Sequence, residues 1–352
     1  MVVQRVQAVA LVFLLLLTAC KKEPAPAPAI PTEGRRIYVL CEGSLGRGDA
    51  ALGVYLPGKD SVYTDAFGAA NGSLWGDVAQ SLMITDNEIF ICVNNSDKIL
   101  VADRATFRLR HSIAIRKPRY IQPINDSVAM VSTLFSNTLF RLSLKSHAVT
   151  DSLKLARQNP EGMATQNGLL YVCPWDKAAD KLYVVEDGRR VVDSISVGQV
   201  PHTIALDKNG FAWVLSGNAS EGIMAKLTRV NLSTRTTQAT YSFPGGADPI
   251  RLAFNPTRDT LYYIGVNYNG GTAYNGVFRM AIGDGALPAT PFVSGQANQY
   301  FWGVGVDPRT STIYIGDPAG WGGQGIVRLY TPQGTLIKDF RVGTGPGQFY
   351  FD

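Results

Sequence analysis

Residues 201–243, PHTIALDKNGFAWVLSGNASEGIMAKLTRVNLSTRTTQATYSF, hold four short apolar stretches separated by turn residues. PHTIALD opens on a proline, AWVL (212–215) follows Asn209-Gly210, and LTRVN (227–231) and TQATYSF (237–243) alternate apolar with polar side chains. Successive side chains of a strand point to opposite faces, so a period of two bounded by Asn-Gly and Gly-rich turns predicts strands rather than helices. The stretch reads as one small antiparallel sheet.

The same four-strand order recurs along the chain. The first strand type begins at Asp77 (DVAQSLMI), Pro118 (PRYIQPI), Pro160 (PEGMAT), Pro201, Pro249 (PIRLAFN), Phe301 (FWGVGVD) and Pro346 (PGQFYF), at spacings of 41, 42, 41, 48, 52 and 45 residues. The second carries an aromatic or aliphatic pair, as in IYVL (37–40), IFICV (89–93), VAMV (128–131), LYVC (170–173), LYYI (261–264) and IYIG (313–316). The third runs from LGVYL (52–56) to IVRLY (326–330), and the fourth from SVYTDAF (61–67) to LIKDFRV (336–342).

Seven four-stranded units predict an all-β, seven-bladed β-propeller, each blade stacking on its neighbours because one sheet cannot cover its own apolar faces. A jelly roll or a pair of sandwiches would not keep one period through the whole chain. The order begins with a second-type strand at Ile37 and ends on a lone first-type strand, GQFYF. One blade is therefore expected to be shared: residues 37–67 supply three strands and the C-terminus supplies the innermost, leaving no open sheet edge.

Ahead of the propeller, residues 1–19 read as an export signal, with Arg5 followed by an apolar run from Ala8 to Leu17. That run is too short for a bilayer span, which takes about 20 residues. Leu17-Thr18-Ala19-Cys20 resembles the lipobox of bacterial lipoproteins, predicting cleavage before Cys20 and lipidation of its thiol. Residues 20–34, with Lys21-Lys22-Glu23 and Pro-Ala repeats to Pro31, read as an extended spacer, and residues 35–352 as the propeller. The expected location is the outer membrane, held by the lipid alone and facing outward.

The sequence carries 33 basic and 28 acidic side chains; losing Arg5 with the signal leaves 32 against 28, or +4. This mild charge, with no basic block, argues against a nucleic-acid partner. Three cysteines follow Cys20, an odd number, and Cys41, Cys92 and Cys173 fall at similar places in similar strands. They are expected to be core fillers.

The segment FICVNN (90–95) resembles the Tyr-Val-Thr-Asn type of propeller repeat. Trp175-Asp176 matches the WD40 dipeptide but lies after the second strand, without a Gly-His partner. The succession GDVAQSLMI, CVNNSDKILVAD, DPIRLAFNPTRDTLYYI and QGIVRLYTPQGTLIKDFRVGTGPGQFYF, together with the lipobox and the split blade, resembles the surface-exposed cobalamin-binding β-propeller lipoproteins of Bacteroidota. Those proteins sit on TonB-dependent cobalamin transporters in the outer membrane. The resemblance implies a corrinoid as bound ligand, no resident cofactor, and such a transporter as partner.

Loops between second and third strands, and entries to first strands, share one face of a propeller. They place Trp75, Asn94, Asn95, Arg119, Phe135, Trp175, His202, Asn218, Arg251, Tyr268, Tyr274, Tyr300, Trp302, Trp321 and Phe349 as candidate ligand-binding residues. Aromatic rings with carboxamides suit a large, flat, amide-decorated ligand, and suit a glycan equally; haem is a further alternative. Of the three histidines, only His202 opens an inner strand. Glu161 and Asp248 are the carboxylates available to a lactonase-like metal centre, but spacing specifies no catalytic set. The expectation is a binding protein without a metal and without enzymatic chemistry.

Overall fold

The computed structural model describes residues 30–31, 34–72 and 75–352. Cys20, the signal and most of the spacer lie outside the described residues. Seven four-stranded antiparallel sheets form the blades of a propeller. From the axis outward, blade 1 is Pro346–Phe351, Ile37–Cys41, Ala51–Leu56 and Ser61–Tyr63. The inner strands of blades 2 to 7 are Ala79–Ile84, Pro118–Asn125, Pro160–Gln166, Pro201–Leu206, Asp248–Phe254 and Gly303–Val306, each followed outward by the next three strands in sequence.

The core lies between blades. Every residue of Ile37–Cys41 is fully buried: Tyr38 and Leu40 pack with blade 2, while Ile37, Val39 and Cys41 pack with Tyr314, Val327 and Leu329 of blade 7. In blade 2, Ile89 and Ile91 face blade 1 and Phe90 and Cys92 face blade 3. A strand covered on both faces has no reason to alternate with polar residues, hence the near-continuous apolar runs. Outer strands such as Ala148–Lys154 are mostly exposed. The three described cysteines are free and buried, and burial pushes their thiols up, Cys92 to about 12, as befits packing groups.

Two outer strands are shorter than the repeat predicts. In blade 1 the strand stops at Tyr63 and Ala66–Asn71 forms a short helix, because the Asp65 carboxylate accepts from the Gly68 backbone N–H (2.9 Å) and caps the turn. Its Ala66 and Phe67 are buried against blades 1 and 2. In blade 6 only Val293–Ser294 pair, two residues after Pro291, which has no N–H for the ladder.

The ring closes by antiparallel pairing of Pro346–Phe351 with Ile37–Cys41, from Ile37↔Phe351 to Cys41↔Pro346. Gly345, at φ +66°, turns the chain into this strand where a Cβ would strike the Trp321 ring. Around the junction, Arg104 pairs with Asp352 (2.6 Å), Arg35 Nε donates to the Asp352 carbonyl (3.0 Å), and the Arg35 guanidinium also holds Asp307 of blade 7. Deleting residues 346–352 would strip Phe349 and Phe351 from Tyr314 and leave blade 1 with three strands. Urea unfolding of that variant, followed by tryptophan fluorescence, is expected to lose the single cooperative transition; an unchanged midpoint would contradict this closure.

Candidate functional site

In six of the seven inner strands the pairing with the second strand slips by one residue near the strand's entry. Such a bulge leaves a residue unpaired and re-aims its side chain. The slips fall at Gln80, at Arg119-Tyr120, at Glu161-Gly162, at His202, at Arg251 and at Gly347. The seventh inner strand, Gly303–Val306, pairs without a slip, and Trp302 just before it donates its backbone N–H to the Gly316 carbonyl (2.8 Å). Gln80, Arg119, Tyr120, Glu161, His202, Arg251 and Trp302 thereby line one cavity of about 500 Å³ at the axial mouth. Ligand sites commonly span about 300 to 1,000 Å³.

Two partly buried ion pairs line this mouth. Arg119 grips Glu161 with a two-pronged contact, Nε to Oε2 at 2.9 Å and Nη2 to Oε1, and its Nη1 donates to Gln80 Oε1. Arg251 reaches Glu42 Oε1 through Nη2 (2.7 Å), the Trp302 carbonyl through Nε (3.1 Å) and the Tyr120 hydroxyl through Nη1 (3.4 Å). Its guanidinium also lies over the Trp302 ring, 5.5 Å from the centroid. Burial opposes the charge on Arg119, but Glu161 outweighs it and holds the guanidinium above its ordinary range.

His202 sits between these pairs, with Nδ1 2.9 Å from Thr203 Oγ1. Burial first, and the Arg251 charge second, lower its pKa to about 4, so the ring is neutral at physiological pH. On the edge of the mouth burial raises the Asp248 carboxyl above its ordinary value. A deeper cavity of about 350 Å³ shares Tyr120, His202, Thr203 and Arg251 with the mouth. Through Gln122, Phe349 and Tyr350 it meets a third, of about 770 Å³, at the opposite face. An axial channel results.

The mouth gathers Asn94, Arg119, Trp175, His202, Asn218, Arg251, Tyr268 and Trp302 of the residues predicted from sequence. Tyr300 and Trp321 line a separate cavity of about 220 Å³. Trp321 also packs edge-on against Trp302, with centroids 5.3 Å apart. Phe349 lines the channel below the mouth. The remaining four do not line it. Trp75 is buried against Phe67 with its indole N–H on Asp65, an interblade packing role. Tyr274 stacks on Phe278 within a blade cluster, and Asn95 is exposed between Asp77 and Lys117. Phe135 projects into solvent from its loop.

The sequence reading passed over Glu42, Gln80 and Tyr120. The available signal was the position just inside each inner strand, where Arg119, Glu161 and His202 follow a proline; Gln80 follows Ala79 and escapes that pattern. Of the two carboxylates weighed for a metal centre, Glu161 is taken by Arg119. Among the described residues, no three His, Cys, Asp or Glu side chains gather to hold a metal ion.

Fold and mouth together define a seven-bladed propeller with a polar, aromatic-edged axial cavity. Residues 35–351 match the family described as Domain of unknown function (DUF5074), and the chain belongs to that family. No curated protein matches it. Among solved structures it is similar to a quinonprotein alcohol dehydrogenase-like protein from Bacteroides thetaiotaomicron (13% identity, TM-score 0.65, 91% of this chain and 78% of that one). It is also similar to a putative 6-phosphogluconolactonase from Bacteroides uniformis (10%, 0.66, 91% and 100%) and to the periplasmic gluconolactonase of Pseudomonas aeruginosa (11%, 0.67, 90% and 98%).

These neighbours correct the expectation that the protein is not an enzyme. Proteins of similar fold are named as gluconolactonases, so the fold does not assign this chain to binding alone.

The depressed His202 pKa has a consequence for stability. Below the ordinary imidazole value of 6.5 the unfolded chain takes up a proton that folded His202 refuses, so stability falls as pH drops from about 6.5 towards about 4. Thermal melts are expected to show a His202→Gln variant losing less stability than the wild type across that window; equal losses would contradict the assignment.

Proposed function

We propose that the axial mouth captures a corrinoid, from which the protein, lipid-anchored through Cys20 at the outer membrane, supplies a TonB-dependent transporter. The observation carrying this reading is the composition of the mouth: Trp175, Tyr268 and Trp302 beside the carboxamides of Asn94 and Asn218, above the Arg119–Glu161 and Arg251–Glu42 pairs. A corrin ring is flat and fringed with amides, so aromatic edges and amide groups complement it in turn. The same face is rimmed by exposed apolar side chains from four blades, Leu45 (75% exposed), Phe135 (69%), Met224 (56%) and Tyr268 (55%). Apolar groups so exposed around a cavity mark a contact surface, here for ligand edges or the transporter. The resemblance of the repeat and lipobox to cobalamin-binding lipoproteins supplies the choice of ligand.

A second reading, hydrolysis of an uncharged lactone at the same mouth, is favoured by His202, a neutral imidazole beside Thr203 on the channel wall. The periplasmic gluconolactonase of Pseudomonas aeruginosa among its structural neighbours supplies that substrate class.

Calorimetric titration of the mature chain with cyanocobalamin is expected to give saturable binding. Trp175→Ala should weaken it by about 2 kcal/mol, roughly thirtyfold, while leaving the thermal transition in place. No binding at micromolar concentration would discard the corrinoid, and turnover of gluconolactone lost in His202→Gln would install the second reading.

A further inference from the structure

Among the described residues, the charged groups of the mouth are Arg119, Arg251, Glu42, Glu161 and Asp248, two cations against three carboxylates, with His202 neutral above about pH 4. Both arginines are already held: Glu161 occupies two nitrogens of Arg119, and Glu42 one of Arg251. A guanidinium is the usual means of gripping phosphate or carboxylate, by the same planar fork that these glutamates fill. An anion entering here meets no net positive charge, and to take either guanidinium fork it would have to displace Glu161 or Glu42 and leave that carboxylate buried without a partner, a costly exchange.

We infer that the mouth excludes anions, and that Glu161 and Glu42 are its specificity-determining residues, restricting the seated part of the ligand to groups without phosphate, sulfate or carboxylate. The inference rests on the mouth being the ligand site. It does not make the arginines idle. Each terminal nitrogen carries two N–H groups, so Arg119 Nη1 and Nη2, and Arg251 Nη2, keep a donor beyond those committed to Gln80, Glu161 and Glu42. Such donors can serve an amide carbonyl or a hydroxyl oxygen while the ion pairs stay closed. The mouth thus offers strong hydrogen-bond donors without net positive charge, which favours an amide- or hydroxyl-rich neutral compound over its phosphorylated counterpart.

Inorganic phosphate is the direct probe, by calorimetry at pH 7.5. Wild type should give no saturable binding in the low millimolar range, whereas Glu161→Gln, which frees the Arg119 fork with little change of shape, should bind phosphate at least tenfold more tightly. The double variant Glu161→Gln/Arg119→Met should lose that gain, placing the anion on Arg119. If Glu161→Gln does not fold, Glu42→Gln reads the same effect at Arg251. Phosphate binding by wild type equal to that of the folded variant, or no gain in either glutamate variant, would overturn the inference. Cyanocobalamin titration separates this from the functional proposal: a phosphate gain with no corrinoid binding keeps the anion exclusion and discards the corrinoid.

Discussion

The pairing of Pro346–Phe351 with Ile37–Cys41 is the constraint on which everything else depends. Blades are stable only against neighbours, so a ring left open would expose apolar faces on both sides of the gap. The closing strand also builds the site. Gly347 lies where a Cβ would meet the Glu42 carboxylate, the Trp302 ring and the Arg251 guanidinium, so the absence of a side chain makes room for one of the two ion pairs. One residue later Gln348 donates to the Gln80 carbonyl (2.8 Å), and the Tyr350 hydroxyl donates back to Gln348 (2.5 Å) while accepting the Leu82 N–H (3.0 Å). The last residues of the chain therefore join the two ends of the fold and brace the channel beneath the mouth.

The bulges explain how a wall of apolar strands acquires a polar axis. A regular inner strand would alternate side chains between the two adjacent blades, where Glu161 or Arg119 would be buried without reward. One extra residue at each entry takes the polar side chain out of that alternation and turns it to the channel. There the charges meet across blades rather than within them: Arg119 of blade 3 with Glu161 of blade 4, and Arg251 of blade 6 with Glu42 of blade 1. Each pair is a tie between blades as well as part of the lining.

Much of this architecture was legible in the sequence because it is periodic. The repeat spacing, the alternation within strands and the missing first strand at the N-terminus all follow from short-range pattern, and the structure places the seven blades and the shared one accordingly. The short helix at Ala66–Asn71 was not legible, since SVYTDAF carries a strand-like alternation and the deciding group is a single Asp65 cap. Within the site, Arg119, His202 and Arg251 could be placed because they open inner strands. Glu42 could not: it follows the strand Ile37–Cys41 in sequence, and its partner at the mouth, Arg251, lies 209 residues away. Trp75 and Tyr274 show the converse, since an aromatic near a loop reads the same whether it faces solvent or fills the space between blades.

If the bulges aim the binding residues inward, ligand is held at the axial mouth. A crystal structure of the mature protein grown with cyanocobalamin tests it most directly. The corrinoid is expected over the mouth, in contact with Trp175, Tyr268 and Trp302 and hydrogen-bonded from Arg119 or Arg251 with both glutamate pairs intact. Corrinoid bound on the outer strands or at the opposite end of the channel, with the mouth empty, would contradict it.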